Sequence, residues 1–263
     1  MNAHHLFLAL VLLASPYGRA IAKENDNCDV YRTTPKQGIL PQSASAEILK
    51  RMRNAYATAK SYQDEGEVMV EKRPPGAELY LERATFRTNF SSPKNYLFDQ
   101  TKSGSGNERY VIWSDGERFS TWWSATGVHE KYERGKGIQA FSVSAFPTMG
   151  AVMQIAPLLF ATSDLVGPVR SMTNAELLGV DASGDRCLYK LSARIRLNHW
   201  AEADRETVVW IDASDFLVRK IVEETPSNAA NGQVDRTTTT LTPAMGKPIP
   251  AADFLFSPPG TKP

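Results

Sequence analysis

The stretch that decides the fold runs from residue 107 to residue 124 and reads NERYVIWSDGERFSTWWS. Residues 107–114 and 117–124 are candidate strands in a part of the chain where the pattern changes to period two, and both are rich in aromatic residues. Asp115-Gly116 separates the two runs and suits a two-residue type I′ turn, because both central residues of that turn need a positive φ. The stretch therefore predicts an antiparallel β-hairpin.

The predicted turn also assigns the faces of the hairpin. It pairs Ile112 with Phe119 and places Trp113 and Trp122 on the opposite face. Both faces then carry large apolar side chains. We expect the core to cover one face, and a helix, a ligand or a partner to cover the other.

Similar alternating runs, bounded by Pro, Gly and Ser, recur on both sides of the hairpin. Together they give about ten antiparallel strands in a mainly β (α+β) chain, which is typical of a barrel or a strongly curved sheet. The remaining candidate strands are 62–72, 78–90, 94–99, 128–134, 186–196, 205–212, 216–224 and 233–242.

One amphipathic helix precedes the strands. Ser43 or Ser45 can cap it, and its apolar residues recur at helical spacing up to Ala59. These apolar residues are Ile48, Leu49, Met52, Tyr56 and Ala59.

The middle of the chain predicts helices of a different kind. Residues 149–162 are apolar at helical spacing, and Pro157 is expected to split them into two short helices because it lacks an N–H. A further short helix is expected at 174–178. Residues 139–147 have the composition of a mobile stretch.

The N-terminus resembles a cleaved secretory signal. His4 and His5 precede an apolar run at 6–14, and Ala20-Ile21-Ala22 is the small-x-small pattern of a cleavage site. The apolar run is too short to span a membrane and has no polar face, unlike a buried amphipathic helix. We expect a signal peptide at 1–22, an extended or disordered segment at 23–43, and one domain at 44–263.

Charge and cysteine content narrow the class of protein. The chain has 30 Lys and Arg against 29 Asp and Glu, and they are interspersed, so a nucleic-acid partner is not expected. Cys28 and Cys187 are the two cysteines. An oxidising compartment permits a disulfide between them, but two cysteines carry no spacing pattern that decides whether they pair.

Catalytic motifs are missing from the sequence. There is no nucleophile elbow, no phosphate-binding Gly loop and no close-spaced zinc ligands, so neither a metal nor a cofactor is expected. His129 and His199 fit surface or packing positions better than catalytic ones. A carboxylate pair is defined by its distance in space, so an enzyme remains the less favoured alternative.

Apolar and aromatic residues are abundant instead. They either fill a core or line a cavity, and flexible residues such as Met149 and Met153 suit a surface that repacks around apolar ligands. The aromatic residues include Trp113, Trp122, Trp123, Trp200, Trp210, Tyr80, Tyr96, Tyr110, Phe86, Phe90, Phe98 and Phe119.

Four segments, in order along the chain, resemble those of LolA-type periplasmic lipoprotein carriers and of related predicted periplasmic proteins of unknown function. Tyr110–Phe119 resembles their Asp-Gly hairpin, and Leu178–Tyr189 their Gly-containing turn before a strand. Val208–Ile221 is similar to their Trp-Ile-Asp strand-turn-strand, and Ala252–Gly260 to their Phe-x-Phe-x-Pro-Pro-x-Gly ending.

The resemblance implies an unclosed antiparallel barrel whose helices form a lid over an apolar cavity for acyl chains. Carried over by position, the lid is Met149–Phe160 together with Ile48–Ala59. Arg83 and Arg87 are candidates for the carriers' functional arginine. The expected lid and cavity residues are Met149, Val152, Met153, Leu159, Phe160, Met52, Tyr56, Trp113, Trp122, Ile112 and Phe119.

The sequence thus predicts a periplasmic, noncatalytic binding protein for a lipid or the acyl chains of a lipoprotein, acting as a carrier or chaperone in the cell envelope. The same fold implies an alternative, an envelope sensor that acts through a protein partner. One fold hosts many functions, so the fold alone does not choose between them.

Overall fold

The computed structural model describes residues 28, 41–72, 78–93, 95–104, 106–133, 137–161, 164–196, 204–226 and 234–260. The predicted signal peptide at 1–22 lies outside the described residues, as do His199 and Trp200. Of the segment predicted to be extended at 23–43, only Cys28 and the helical residues 41–43 are described.

The described residues form one antiparallel sheet of twelve strands that does not close. Its order is β6-β5-β4-β3-β2-β1-β11-β10-β9-β8-β7, and β12 pairs with β1. The unclosed antiparallel sheet expected from the sequence is confirmed. The strands are β1 Ser61–Lys72, β2 Tyr80–Ser91, β3 Asn95–Ser103, β4 Arg109–Asp115, β5 Phe119–Trp123, β6 His129–Lys131, β7 Glu176–Ser183, β8 Arg186–Ile195, β9 Arg205–Asp212, β10 Val218–Pro226, β11 Val234–Leu241 and β12 Ala244–Met245.

Four α-helices belong to the described part of the chain. They are α1 Pro41–Ala57, α2 Ile138–Ser144, α3 Val152–Leu159 and α4 Pro168–Ser171, and a 3₁₀ turn follows at Ala251–Phe254. The buried apolar side chains of the four α-helices share one hydrophobic cluster with inward-facing residues of the sheet. The molecule thus has two layers, with the helices on the inner face of the sheet.

The first helix begins earlier than its predicted cap. It starts at Pro41, so Ser43 and Ser45, the two candidate caps, both lie inside the helix. The Ser45 hydroxyl donates instead to the carbonyl oxygen of Ala175, at 2.5 Å. This contact ties α1 to the chain just before β7.

The hairpin prediction was wrong in register and right in its faces. Ser114 pairs with Phe119 and Ile112 with Thr121, so the connection is two residues longer than a type I′ turn. Because side chains alternate with period two, a shift of two positions leaves every residue on its expected face. Trp113 and Trp122 accordingly belong to a separate cluster from the one that contains Ile112 and Phe119.

The helix predicted at 174–178 does not exist. Its residues lie at the start of β7, where Glu176 pairs with Ser192, and the nearest helix, α4, precedes it. A positive φ at Asn174 and a bulge between Leu177 and Gly179 interrupt the strand pattern. Pairing with β8 outweighs the local preference of the two leucines, since tertiary contacts routinely override propensity.

The middle segment also differs from the expectation. Residues 139–147, predicted to be mobile, contain most of α2, whose Ala140 and Phe141 are fully buried. Pro157 lies inside α3 and does not split it. The break comes earlier, at Met149 and Gly150, which both have a positive φ.

The outer face of the hairpin is covered by the C-terminal segment. Leu97, Val111 and Phe254 form a small buried cluster there, against which Trp113, Trp122, Ile249 and Phe256 pack. The Phe256 ring lies 5.0 Å from that of Trp113 and 5.5 Å from that of Trp122. Both faces of the hairpin are therefore covered by this chain, the inner face by the helices and the outer face by the C-terminal segment.

Cys28 and Cys187 are joined by a disulfide and pack against Ala213. The bond connects the segment before α1 to β8, across 159 residues of sequence. Among the described residues, no helix combines the length and the apolarity needed to cross a membrane.

Candidate functional site

The candidate site is the interface between the helices and the inner face of the sheet. Met52 and Tyr56 of α1 are fully buried there, and α3 buries all of its residues except Met153. The sequence folds this way because α1 is apolar along one stripe, whereas α3 is apolar nearly all round, as a helix enclosed by protein must be.

An aromatic cluster occupies the middle of this interface. Phe90, Tyr96 and Phe119 project from β2, β3 and β5, while Phe141 comes from α2 and Phe160 follows α3. The Phe141 ring lies 5.1 Å from that of Tyr96 and 5.2 Å from those of Phe119 and Phe160. Phe160 also contacts Phe90 at 5.4 Å, edge to face, a favoured arrangement for aromatic pairs.

The segment α2–α3 is bounded by points where the backbone turns sharply. Met149 has φ 54° and Gly150 has φ 81°, between the two helices. After α3 the chain returns close to it at Gly167, where an added Cβ would lie 2.2 Å from the Met153 carbonyl oxygen. Only glycine permits this approach, which closes the loop behind α3.

Arg170 of α4 holds the C-terminal end of α3. Its Nη1 donates to the carbonyl oxygens of Pro157, Phe160 and Leu165, and its Nη2 to that of Ala161. The last carbonyls of a helix have no partner within it, and a cation is favoured near them. Sequence reasoning missed this arginine because its partners are backbone atoms.

Few side-chain hydrogen bonds connect α2–α3 to the sheet. Tyr110 and Ser144 share one at 2.9 Å, and the Gln154 amide donates to Glu223 at 2.5 Å. The Gln100 amide donates to the carbonyl oxygen of Pro147, between the two helices, at 3.4 Å. Glu223 is buried, and burial raises the pKa of its carboxyl, an effect that Arg205 and Gln154 oppose. The helical layer is therefore held mainly by apolar contact.

A cavity of about 460 Å³ opens at one end of this interface, beside the turn between α2 and α3. Its apolar wall includes Met149, Trp123 and Phe146, whose side chain is 86% exposed. Charged pairs form the opposite wall, Lys102 with Glu82 and Arg205 with Glu223. An apolar chain could enter here only beside charged groups.

A buried carboxyl lies deeper, under α1. Asp64 of β1 is 4% exposed and accepts a 2.5 Å hydrogen bond from the Tyr62 hydroxyl, and the Tyr56 hydroxyl accepts from the N–H of Val218 nearby. Burial raises the pKa of Asp64 to about 6, although Tyr62 and Thr88 favour its charged form. No pattern in the sequence predicted this buried carboxyl.

Nine of the eleven predicted site residues meet at the interface. Trp113 and Trp122 do not, because they lie on the outer face under Phe256. Five of the nine are buried and four pack half-buried against the same cluster. The nine are Met52, Tyr56, Ile112, Phe119, Met149, Val152, Met153, Leu159 and Phe160.

The two arginines taken from the resemblance also lie on the outer face. Arg83 is 3.9 Å from Glu67, and Arg87 is 3.3 Å from Asp99, which also pairs with Arg109 at 2.7 Å. A cavity of about 680 Å³ is lined there by Arg87, Asp99 and Arg109. Neither Arg83 nor Arg87 is near the helices.

The described residues offer little chemistry for catalysis. His129 packs its ring 5.3 Å from that of Trp113, and burial lowers the pKa of the imidazole. Within the ranges that the structure describes, no three His, Cys, Asp or Glu side chains are placed to hold a metal ion.

The chain was compared with known families and structures. The model of a family described as predicted periplasmic proteins, DUF2092, matches residues 45–262. The periplasmic location and the resemblance to predicted periplasmic proteins expected from the sequence are thereby confirmed. None of the curated proteins matches the chain.

Several solved structures are distantly similar. A LolA superfamily protein from Nitrosomonas europaea is 11% identical over 83% of this chain and 99% of its own, with a TM-score of 0.33. A putative outer membrane lipoprotein-sorting protein domain from Vibrio parahaemolyticus is 10% identical over 78% and 94%, with a TM-score of 0.37. MucB in complex with MucA(peri) is 11% identical over 81% and 59%, with a TM-score of 0.40.

Proposed function

The chain belongs to the DUF2092 family of predicted periplasmic proteins, and we propose that it is a noncatalytic binding protein for a lipid or for the acyl chain of a lipoprotein. In this role it acts as a carrier or chaperone in the cell envelope, after export by the signal peptide at 1–22. The acyl chain lies between α2–α3 and the sheet.

The aromatic cluster carries this proposal. Two of its rings, Phe141 and Phe160, come from the helical segment, and three, Phe90, Tyr96 and Phe119, come from the sheet. Separating the two sides would turn a packed interface into a cleft with aromatic walls. An acyl chain that replaces these contacts gains ~0.8 kcal/mol for each buried CH₂.

Movement of α2–α3 requires no large rearrangement of the sheet. Among the described residues, the polar contacts to be broken include the hydrogen bonds of Tyr110 with Ser144, of Gln154 with Glu223 and of Gln100 with the Pro147 carbonyl oxygen. Met149 and Gly150 divide the segment at a turn, and Arg170 holds its far end. We expect the helices to open about this end, as lids do in ligand-binding proteins.

Binding of oleate and of the fluorescent fatty acid cis-parinaric acid tests the proposal, with a matched pair of variants. Phe160→Ala removes a ring from the inner cluster, and Phe256→Ala removes one from the outer cluster with Trp113 and Trp122. We expect both variants to lose similar stability and only Phe160→Ala to change the affinity for the fatty acids.

Two results would count against an acyl ligand. One is an absence of fatty-acid binding together with an absence of lipid in native mass spectra of protein purified from the periplasm. The other is a stable complex with a membrane-anchored regulator without any bound lipid, which would favour the sensor alternative.

A further inference from the structure

A groove between α1 and α3 concentrates positive charge. Its volume is about 690 Å³, and Lys50, Arg51, Arg53 and Arg170 line it together with one carboxylate, Glu47. Four cations and one anion give the lining a net charge of +3, whereas the whole chain has a net charge of +1. This groove is distinct from the aromatic interface, because none of the five aromatic residues of that cluster lines it.

Two guanidinium groups, those of Arg53 and Arg170, line this groove. Arg170 donates to four backbone carbonyls of the segment that follows Ala156, and Arg53 donates to the carbonyl oxygen of Met172. Among the described residues, neither arginine forms an ion pair with an acidic side chain. Burial, and then the positive charge of Arg170, lower the pKa of Arg53.

Arg53 also has an unused donor. Its Nε is buried and has no hydrogen-bond acceptor among the described protein groups. A buried donor of a charged group is costly to leave unpaired, and two like charges held close together add to that cost. An anion in the groove would offset the repulsion between the two positive charges.

The single carboxylate of the groove does not supply this anion. Glu47 pairs with Arg51 at 2.9 Å, and both side chains are at least half exposed. Lys50 is exposed on the same helix, and within the described part of the chain its ammonium group forms no ion pair shorter than 4 Å. Lys50, Arg53 and Arg170 are therefore the cations left for a ligand.

We infer that the groove between α1 and α3 binds a phosphate group, either in the headgroup of a phospholipid or in a soluble phosphate compound. Planar guanidinium groups match phosphate oxygens in paired hydrogen bonds, and an ammonium group adds a mobile point charge. A phosphate offers more oxygens and more negative charge than one carboxylate, which suits a lining of net charge +3. This site goes beyond acyl binding and does not depend on it.

The test uses two arms that distinguish the sources of phosphate. Calorimetric titration with inorganic phosphate at constant ionic strength measures the group alone. Flotation with vesicles of phosphatidylcholine, with and without phosphatidylglycerol, measures an anionic headgroup. We expect saturable phosphate binding that weakens as ionic strength rises, since the site is open to solvent.

The variant Lys50→Glu/Asn54→Glu changes two exposed residues of α1 that line the groove and reduces its lining charge from +3 to 0. Arg53 and Arg170 stay unchanged because both hold backbone carbonyls. The control, Lys247→Glu/Ala125→Glu, makes the same change in net charge at exposed residues elsewhere. Circular dichroism verifies that both variants are folded.

We expect the groove variant to weaken phosphate binding by about tenfold or more, and the control to leave it unchanged. Phosphatidylglycerol-dependent flotation lost only in the groove variant assigns the site to a lipid headgroup, and phosphate binding without flotation assigns it to a soluble compound. The inference is overturned if inorganic phosphate does not bind, or if both variants reduce binding and flotation equally.

Discussion

The Gln154 side chain on α3 donates a 2.5 Å hydrogen bond to the buried Glu223 carboxylate on β10. The contact crosses the interface that we propose to open, and Gln154 is 1% exposed. The bond thus joins a helix that is packed mainly by apolar contact to a strand residue 69 positions away in sequence.

Replacing Gln154 with Leu should destabilise the protein by about 1–3 kcal/mol, because it leaves Glu223 buried with a weaker set of donors. Arg205, at 3.5 Å, is the remaining partner. Urea denaturation measures the loss. The double variant Gln154→Leu/Glu223→Leu should recover much of this loss of stability, since both polar groups are then removed. A double variant less stable than Gln154→Leu would contradict a stabilising role for this hydrogen bond.

The buried carboxyl of Asp64 predicts a pH dependence of stability. Its pKa is raised to about 6 in the folded protein, so the folded state binds a proton more tightly than the unfolded chain does. Stability should therefore increase as the pH falls from about 7 to about 4, by roughly 3 kcal/mol at most. Glu223, whose pKa is also raised, acts in the same direction.

The variant Asp64→Asn should be more stable than the original protein at neutral pH and should lose most of the increase at lower pH. Glu223→Gln serves as the comparison, because it removes the other buried carboxyl and leaves Asp64 in place. Urea titrations at several pH values measure both. An unchanged pH profile in Asp64→Asn would show that this carboxyl titrates normally.

Reduction of the disulfide should lower the stability of the protein substantially. Cys28 and Cys187 are 159 residues apart, so the bond restricts a long stretch of the unfolded chain. Replacing both cysteines with serine should lower the free energy of unfolding by roughly 2–5 kcal/mol. The reduced original protein should match the variant; equal stability with and without reductant would mean that the bond adds nothing.

The segment α2–α3, which we propose opens to admit the acyl chain, should be less stable than the sheet on which it packs. We expect amide hydrogens of α2–α3 to exchange faster than those of the β4–β5 hairpin, and oleate to slow the exchange in α2–α3. Hydrogen exchange with mass spectrometry compares the two regions in one sample. Exchange as slow in α3 as in the hairpin would identify the segment as ordinary core.

Most features that follow a local periodic pattern, such as the strands and the faces of their residues, were predicted from the sequence. Alternation located the strands, and the faces of Ile112 and Trp113 were predicted correctly although the hairpin register was not, since the error of two residues preserved them. The elements that the sequence did not predict depend on contacts with residues distant in sequence. The helix at 138–144 is held by burial of Phe141, and β7 by pairing with β8, neither of which leaves a periodic pattern of its own.

The residues of the candidate site were predicted with the same success and the same limits. Nine predicted residues meet at the interface because they lie on inward faces, but Trp113 and Trp122 face outward, where the distant Phe256 covers them. Arg170 and Gln154 were not predicted, since a backbone carbonyl or a carboxylate 69 residues away gives no signal in the sequence.

The most direct test of the central claim is to photolabel the protein with a diazirine-bearing fatty acid and to map the adducts by mass spectrometry. Binding between α2–α3 and the sheet predicts adducts at inward-facing residues such as Tyr96, Phe141 and Phe160, and competition by oleate. Labelling confined to the outer face around Phe256, or labelling that oleate does not reduce, would contradict an acyl site in this interface.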